Sequence, residues 1–167
     1  LVGIDRFLIV TMFPVIAKDL ALSYEAIGLI TGALSVAWGL SALFMGNLAD
    51  RIGPRPVMIA SLIVFSSLIG ASGLATGLLT LVLVRVIMGI ADGAYTPASI
   101  AATFAVSGDS RRGLNIGIQQ MSNLLLGLGL GPLMVTALLH VLNWRYVFLV
   151  FAPPGFLAAY LIWRIST

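Results

Sequence analysis

Gly46-Asn47-Leu48-Ala49-Asp50-Arg51-Ile52-Gly53-Pro54-Arg55 stands between two long apolar runs and carries Asp50, Arg51 and Arg55 within one short stretch. A charged turn of this kind cannot lie in hydrocarbon, because its backbone groups and its charges need water or protein partners. It therefore reads as a tight connection between two membrane spans, and its two arginines place it on the cytoplasmic side.

The rest of the chain is what such a connection requires. Hydrophobic residues make up 60% and charged residues 9%, and mean hydropathy is +1.10. Soluble domains carry roughly 25% charged residues. A bilayer span needs about 20 mostly apolar residues, and six runs qualify, at roughly 1–17, 24–46, 57–75, 78–106, 113–141 and 147–165. The connectors are short, so the expectation is one all-α, integral-membrane bundle of six transmembrane helices. The absence of cysteine excludes disulfides. The net charge of +3 comes without a basic cluster, which argues against nucleic acid as a partner. No basic leader precedes the first run, which contains Asp5 and Arg6, so it does not read as a cleavable signal. Metal-ligand clusters, phosphate-binding loops and nucleophile–base pairs are missing, so no enzyme, cofactor or metal is expected.

Arg51 and Arg55 fall in the second connector, Arg111 and Arg112 in the fourth, and Arg164 at the end of the sixth run. Those positions share one side of a six-span chain. The other side holds Lys18 and Arg145 beside Asp19 and Glu25. The loops between spans two and three and between spans four and five should therefore be cytoplasmic.

Charges inside the spans carry the chemical information. A charge at mid-bilayer costs roughly 2.5–3.5 kcal/mol on insertion scales, so such residues face a cavity or one another. Arg85 and Asp92 are seven residues apart, hence on one face of the fourth span and about 10 Å apart along its axis. Asp5 and Asp92 fall at similar depth, with Arg85 nearer the outside. Adjacent helix positions point about 100° apart, so Asp5 and Arg6 cannot aim at one spot. Arg6 and Arg85 would be held by Asp5 and Asp92, directly or through water. Gln119 and Asn123, four apart in the fifth span, either line the same cavity or hydrogen-bond between helices. Tyr95 lies beside the face that Arg85, Asp92 and Ser99 share. His140, at the outer end of the fifth span, reads as an interfacial hydrogen-bonder, and Trp144, Tyr146, Tyr160 and Trp163 read as an aromatic belt around the sixth.

Small residues form a second pattern. Gly28, Gly32, Ser35, Gly39, Ala42 and Gly46 recur along one face of the second span, a spacing that lets another helix approach closely. Gly89 and Gly93 in the fourth span, and Gly127, Gly129 and Gly131 before Pro132 in the fifth, are similar. Packing within the bundle explains them; so does an interface with a further set of helices.

The pattern Gly-x-Leu-Ala-Asp-Arg-x-Gly-x-Arg over Gly46 to Arg55 closely resembles the loop between helices 2 and 3 of the major facilitator superfamily. That resemblance implies a secondary transporter. Each half of such a protein is two inverted three-helix repeats, and the chain corresponds to the N-terminal six-helix half over 1–167. On this reading it starts within helix 1, and the second half is missing, or is supplied by a second copy of the chain. The resemblance also implies a cytoplasmic gate built of Gly46, Asp50, Arg51, Gly53 and Arg55. It implies too that spans two and five meet the other half.

Further stretches resemble the anion:cation symporter branch of that family. They are Asp5-Arg6 with Pro14-Val15-Ile16 and Leu22-Ser23; Arg85 to Gly93 with Pro97-Ala98, where Asp92 stands in place of the usual glutamate; and Asn143-Trp144-Arg145. By this likeness, Arg6, Arg85, Tyr95, Gln119 and Asn123 bind a small organic anion, a sugar acid or other carboxylate. Asp5 and Asp92 would take protons, and the membrane would be the cytoplasmic (plasma) membrane. Two departures are plain. The tryptophan-aromatic-proline stretch before a Glu-Arg pair, usual after Pro97, is replaced by Phe104-Ala105-Val106-Ser107-Gly108-Asp109-Ser110-Arg111-Arg112, and the second span lacks the usual tyrosine near Trp38. Gly127-x-x-x-Gly131-Pro132 matches half of a signature found in drug:proton antiporters, so export of a drug or metabolite in exchange for protons stands as the alternative. A half-length membrane scaffold or sensor without transport is the third reading.

Overall fold

In the computed structural model, which describes residues 2–165, the chain is helical throughout its membrane-length segments, and no strand occurs among the described residues. α1 covers Val2–Asp19, α2 Ala26–Ile52, α3 Pro54–Ser72 and α4 Leu78–Val106. The fifth span, Asp109–Leu139, is composite: a 3-10 turn at Asp109–Arg111, α5 at Arg112–Leu124, a π-helical turn at Leu125–Leu130, and α6 at Gly131–Leu139. The sixth, Trp144–Ile165, consists of α7, Trp144–Phe151, and α8, Pro153–Ile165. In lipid each backbone N–H and C=O must be satisfied within the segment, which is why apolar runs of this length become helices.

The motif at residues 46–55 departs from the expected tight turn spanning the stretch. α2 continues through Gly46, Asp50 and Arg51 to Ile52, and the reversal is confined to Gly53, at φ 89° and ψ 152°. That positive φ favours a residue without Cβ. Pro54 then opens α3, where its missing N–H removes a donor that would have had no helical partner. The charges of the motif thus project from the last turns of a helix and from the first turn of the next.

α2 lies along α4, α3 packs on α4 and α8, and α1 lies against the fifth span. The main core joins Leu8, Met12 and Ile16 of α1 to Ile30, Ile69, Leu81, Met88, Val135 and Phe148. A smaller core of Ala49, Val57, Ala94 and Ala98 holds the Gly53 end. At the opposite end a polar clasp ties three spans together. Trp144 Nε1 donates to Asp19 Oδ2 at 3.0 Å, and Arg145 Nη1 donates to the carbonyls of Gly73 and Ala75 at 3.0 and 2.9 Å. Trp144 is 1% exposed, so it belongs to this clasp rather than to an aromatic belt. Tyr146, Tyr160 and Trp163 are about half exposed, as belt residues would be. His140 is exposed at the end of α6.

The small residues divide between two uses. Gly89 and Gly93 of α4 let α2 approach to backbone contact: a Cβ at Gly93 would lie 2.6 Å from the Trp38 carbonyl oxygen, and one at Gly89 would strike the Leu34 carbonyl. Ser41 Oγ donates to the Ile90 carbonyl at 2.8 Å across the same contact. In the fifth span Gly127 presses on Gly3 and Phe7 of α1. By contrast Gly28, Gly32, Gly39 and Gly129 face open space, with nothing within 4 Å of a built Cβ. Packing inside the bundle therefore accounts for the glycines of α4 but not for Gly28, Gly32 and Gly39 of α2, because α4 brings its own glycines to the contact.

Replacing Gly93 by Ala should lower the stability of the detergent-purified protein by about 1–3 kcal/mol through overpacking. Gly28→Ala should leave thermal unfolding unchanged, and equal shifts for the two variants would contradict this division.

Candidate functional site

α1 and α4 bring the four interior charges together as two crossed pairs. Arg85 Nη1 donates to Asp5 Oδ2 at 2.6 Å. Arg6 donates from Nε at 3.2 Å and from Nη2 at 2.6 Å, both to Asp92 Oδ2. The crossing follows from helix geometry. Asp5 and Arg6 point about 100° apart around α1, while Arg85 and Asp92 share a face of α4 with an offset of about 10 Å. Each residue of α1 thus finds its opposite charge at a different level of α4.

The pairs differ in exposure. The Arg85 and Asp5 side chains are 0% and 1% exposed, whereas Arg6 is 40% exposed and Asp92 1%. Arg85 lies against the Phe148 ring, 5.9 Å from its centroid. Its Nε and Nη2 have no partner among the described residues, and neither does Asp5 Oδ1. The Arg6 guanidinium lies over the Trp38 ring at 4.9 Å, and Thr96 Oγ1 sits 3.3 Å from Asp92 Oδ1.

Arg6 and Asp92 open on a cavity of about 260 Å³ whose walls include Trp38, Thr96, Gln120 and Asn123. A second cavity, about 370 Å³, reaches from Arg6 to Arg85 past Thr31 and Ser35 of α2. α4, α1, α2 and α5 thus each contribute a polar group, and the two linings together offer two guanidiniums, one carboxylate, two amides and three hydroxyls within an apolar frame. Among the described residues no cluster of three or more metal-ligating side chains occurs.

Of the candidate residues read from the sequence, Asp5, Arg6, Arg85 and Asp92 are brought together, and Asn123 lines the first cavity. Gln119 does not: its side-chain amide meets the Thr103 hydroxyl at 2.9 Å, between α5 and α4. Gln120 takes the expected place in the wall. Spacings of three and of four both put residues on one helix face, so pairing Asn123 with Gln119 rather than Gln120 was a choice periodicity alone does not decide. Tyr95 is half-buried and lines neither cavity; its neighbour Thr96 does. Trp38 was also missed as a wall residue. Its place as the only tryptophan within a glycine-rich span was the available signal. Asp50, Arg51 and Arg55 are exposed, and Asp50 lies about 18 Å along α2 from Trp38.

The sequence profile of the Major Facilitator Superfamily matches residues 1–167. This chain belongs to that family. Its members are membrane transporters, not enzymes. The chain is 30% identical over 97% of its length to an uncharacterized MFS-type transporter of Mycobacterium tuberculosis, covering 28% of that protein. It is 28% identical over 89% of its length to a probable L-galactonate transporter of Escherichia coli, covering 33%. With the multidrug resistance protein MdtM of Escherichia coli it shares 29% identity over 84% of its length, again covering 33%. The fold superposes on the crystal structure of a bacterial homolog of the human lysosomal transporter Spinster, inward-facing and occupied. There the TM-score is 0.83 at 23% identity, with 99% of this chain and 41% of that one covered. The chain thus spans about a third of the length of the curated relatives it matches.

Removing one partner of a sealed pair leaves the other charge buried alone. Arg85→Met should cost about 3–5 kcal/mol of stability, much of it recovered in Arg85→Met with Asp5→Leu. Arg6→Met, at a half-open position, should cost less. Thermal unfolding of the purified variants checks the order, and a silent Arg85→Met would contradict it.

Proposed function

We propose that this chain is the N-terminal six-helix half of a secondary transporter that carries a small organic anion, a sugar acid or other carboxylate, together with protons by alternating access. The observation that carries this reading is the Arg6–Asp92 pair: a guanidinium half open to a cavity, held by a carboxylate that is itself buried. Protonation of Asp92 removes the counter-ion of Arg6 and frees it for a substrate carboxylate, a charge-assisted and bidentate contact. Anion and proton then cancel each other's charge, which lowers the cost of moving the loaded site across the membrane. Asp5 and Arg85 repeat the device behind the first pair, as a second proton-accepting carboxylate and a second anion-binding cation. Asn123 and Gln120 supply amides to the substrate. The probable L-galactonate transporter among the relatives supports a sugar-acid substrate.

A second six-helix half, or a second copy of this chain, closes the cavity. The unfilled glycine face of α2 and the exposed apolar residues of the fifth span, Leu114, Ile118, Met121 and Leu125, support that placement. The loops between spans two and three and between spans four and five lie in the cytoplasm of a cell whose plasma membrane holds the protein. There Asp50, with Arg51 and Arg55, meets a helix N-terminus of the other half when that side closes, since a carboxylate is favoured at such an end. Export of a drug or metabolite against protons is the second reading, supported by the multidrug relative and by Gly127, Gly131 and Pro132 around the π-helical turn.

The test uses the longest natural chain containing this segment, reconstituted in weakly buffered vesicles. Adding organic acids outside should alkalinise the medium. Asp92→Asn should keep exchange of bound substrate and lose proton-driven accumulation. Unchanged accumulation in that variant would overturn the role of Asp92. Acidification on adding cationic or neutral solutes would favour antiport, and no pH change with any solute would favour a scaffold or sensor.

A further inference from the structure

Trp38 stands in the middle of α2 with its backbone held hard against α4, because Gly89 and Gly93 leave no side chain between the two helices. The position of its indole is therefore set by the scaffold and not by a mobile loop. The ring forms part of the cavity wall and carries the Arg6 guanidinium on its face, 4.9 Å from the centroid. A cation over tryptophan is attracted by the ring quadrupole, so the indole holds the guanidinium at the mouth of the site.

Its nitrogen is the unexplained part. Trp38 Nε1 is covered, and no acceptor among the described residues lies within hydrogen-bond distance. A buried indole N–H ordinarily finds a partner. The indole N–H of Trp144 does so, with Asp19 Oδ2 at 3.0 Å, whereas that of Trp38, on a half-buried side chain, does not. The donor at Trp38 is thus left over beside a cavity whose lining holds one cation, the Asp92 carboxylate that pairs with it, one hydroxyl and the amides of Gln120 and Asn123. Such a set suits a ligand with a carboxylate at one end and several hydroxyl oxygens along its length. With Asp92 protonated it does not suit an apolar cation, which would meet Arg6 and find no use for an indole donor.

We propose that Trp38 is a substrate-contacting specificity residue, whose indole N–H donates to a hydroxyl oxygen of a polyhydroxylated carboxylate held at its acid end by Arg6. This rests on the anion-binding reading of the cavity. When Arg6 turns from Asp92 to the substrate carboxylate, its guanidinium leaves the ring and the Nε1–H becomes available to the same ligand. Selection then comes from the hydroxyl: an acid lacking it strands the donor a second time.

The experiment measures binding of six-carbon aldonates, their mono-deoxy analogues and hexanoate to the full natural chain containing this segment. In the wild type, one deoxy analogue should bind markedly more weakly than its parent aldonate. In Trp38→Phe, which keeps an aromatic face under Arg6, the preference for the parent over that analogue should fall about tenfold, as expected for one hydrogen bond. Affinity for the analogue itself should change little. Trp38→Leu should show the same collapse of the ratio, and serves where the phenylalanine variant fails to fold. A purely structural role would weaken parent and analogue alike and leave the ratio standing, which would overturn the proposal. Aldonates binding no better than hexanoate in the wild type would overturn it too, while leaving the anion reading intact. Failure of the wild type to bind any carboxylate would remove both.

Discussion

Neutralising four charges between α1 and α4 is the constraint on which the bundle depends. α1 carries Asp5, Arg6, Lys18 and Asp19 within Val2–Asp19, and among the described residues the five helical segments long and apolar enough to cross a membrane by length and composition are the other five. The interior charges of α1 are accommodated because α4 presents Arg85 and Asp92 at the two levels where α1 needs opposite charge. A buried pair of this kind seldom gains stability over apolar residues of the same size, yet breaking it is strongly unfavourable. The pairs therefore fix the register of α1 on α4 more than they strengthen the bundle. Asp19, bound by Trp144 and Arg145, anchors the other end of the same helix.

Between those anchors the packing is uneven in a consistent way. α4 uses its glycines inward, against the backbone of α2, and Gly127 does the same against α1. α2 turns Gly28, Gly32 and Gly39 outward, and the fifth span turns out a face of large apolar residues. The π-helical turn at Leu125–Leu130 belongs to this second pattern. Pro132 cannot supply an N–H to the preceding turn and crowds the carbonyl four residues back. A wider turn just before it accommodates both effects, and Gly127, Gly129 and Gly131 make the widening cheap in steric terms. The result brings Gly127 onto α1 while leaving Gly129 in open space.

Much of this was legible in the chain. The length and spacing of the apolar runs gave six segments, and the fourth matched Leu78–Val106 within the precision of the reading. Interior charges stood out because they are costly there, and the 100° step between Asp5 and Arg6 already required separate partners. What could not be read was direction. Periodicity assigns a residue to a face but not a face to a neighbour, so the glycines of α2 and α4 looked alike though one set packs and the other does not. Gln119 and Gln120 were indistinguishable for the same reason. Trp144 was read from its place at a span end, where aromatic residues often meet the interface. Its partner, Asp19, is 125 residues away in sequence, and only the tertiary fold makes that pairing visible.

The uneven exposure of the two ion pairs bears on coupling. Arg6 places both Nε and Nη2 on one oxygen of Asp92, while the other oxygen faces Thr96. A guanidinium prefers two parallel bonds to two oxygens, so Asp92 is an imperfect partner and an incoming carboxylate, free to present both oxygens, is a better one. On the proposed reading this imperfection is useful. If Asp92 held Arg6 in a full bidentate pair, an anion would have to displace a stronger contact, and proton and substrate would be linked by a larger barrier. If Arg6 were free, it would bind anions without reference to the proton. A one-oxygen contact at the open pair, with a sealed pair behind it keeping α1 in register, allows one guanidinium to be exchanged between carboxylates while the helices that carry them stay in place.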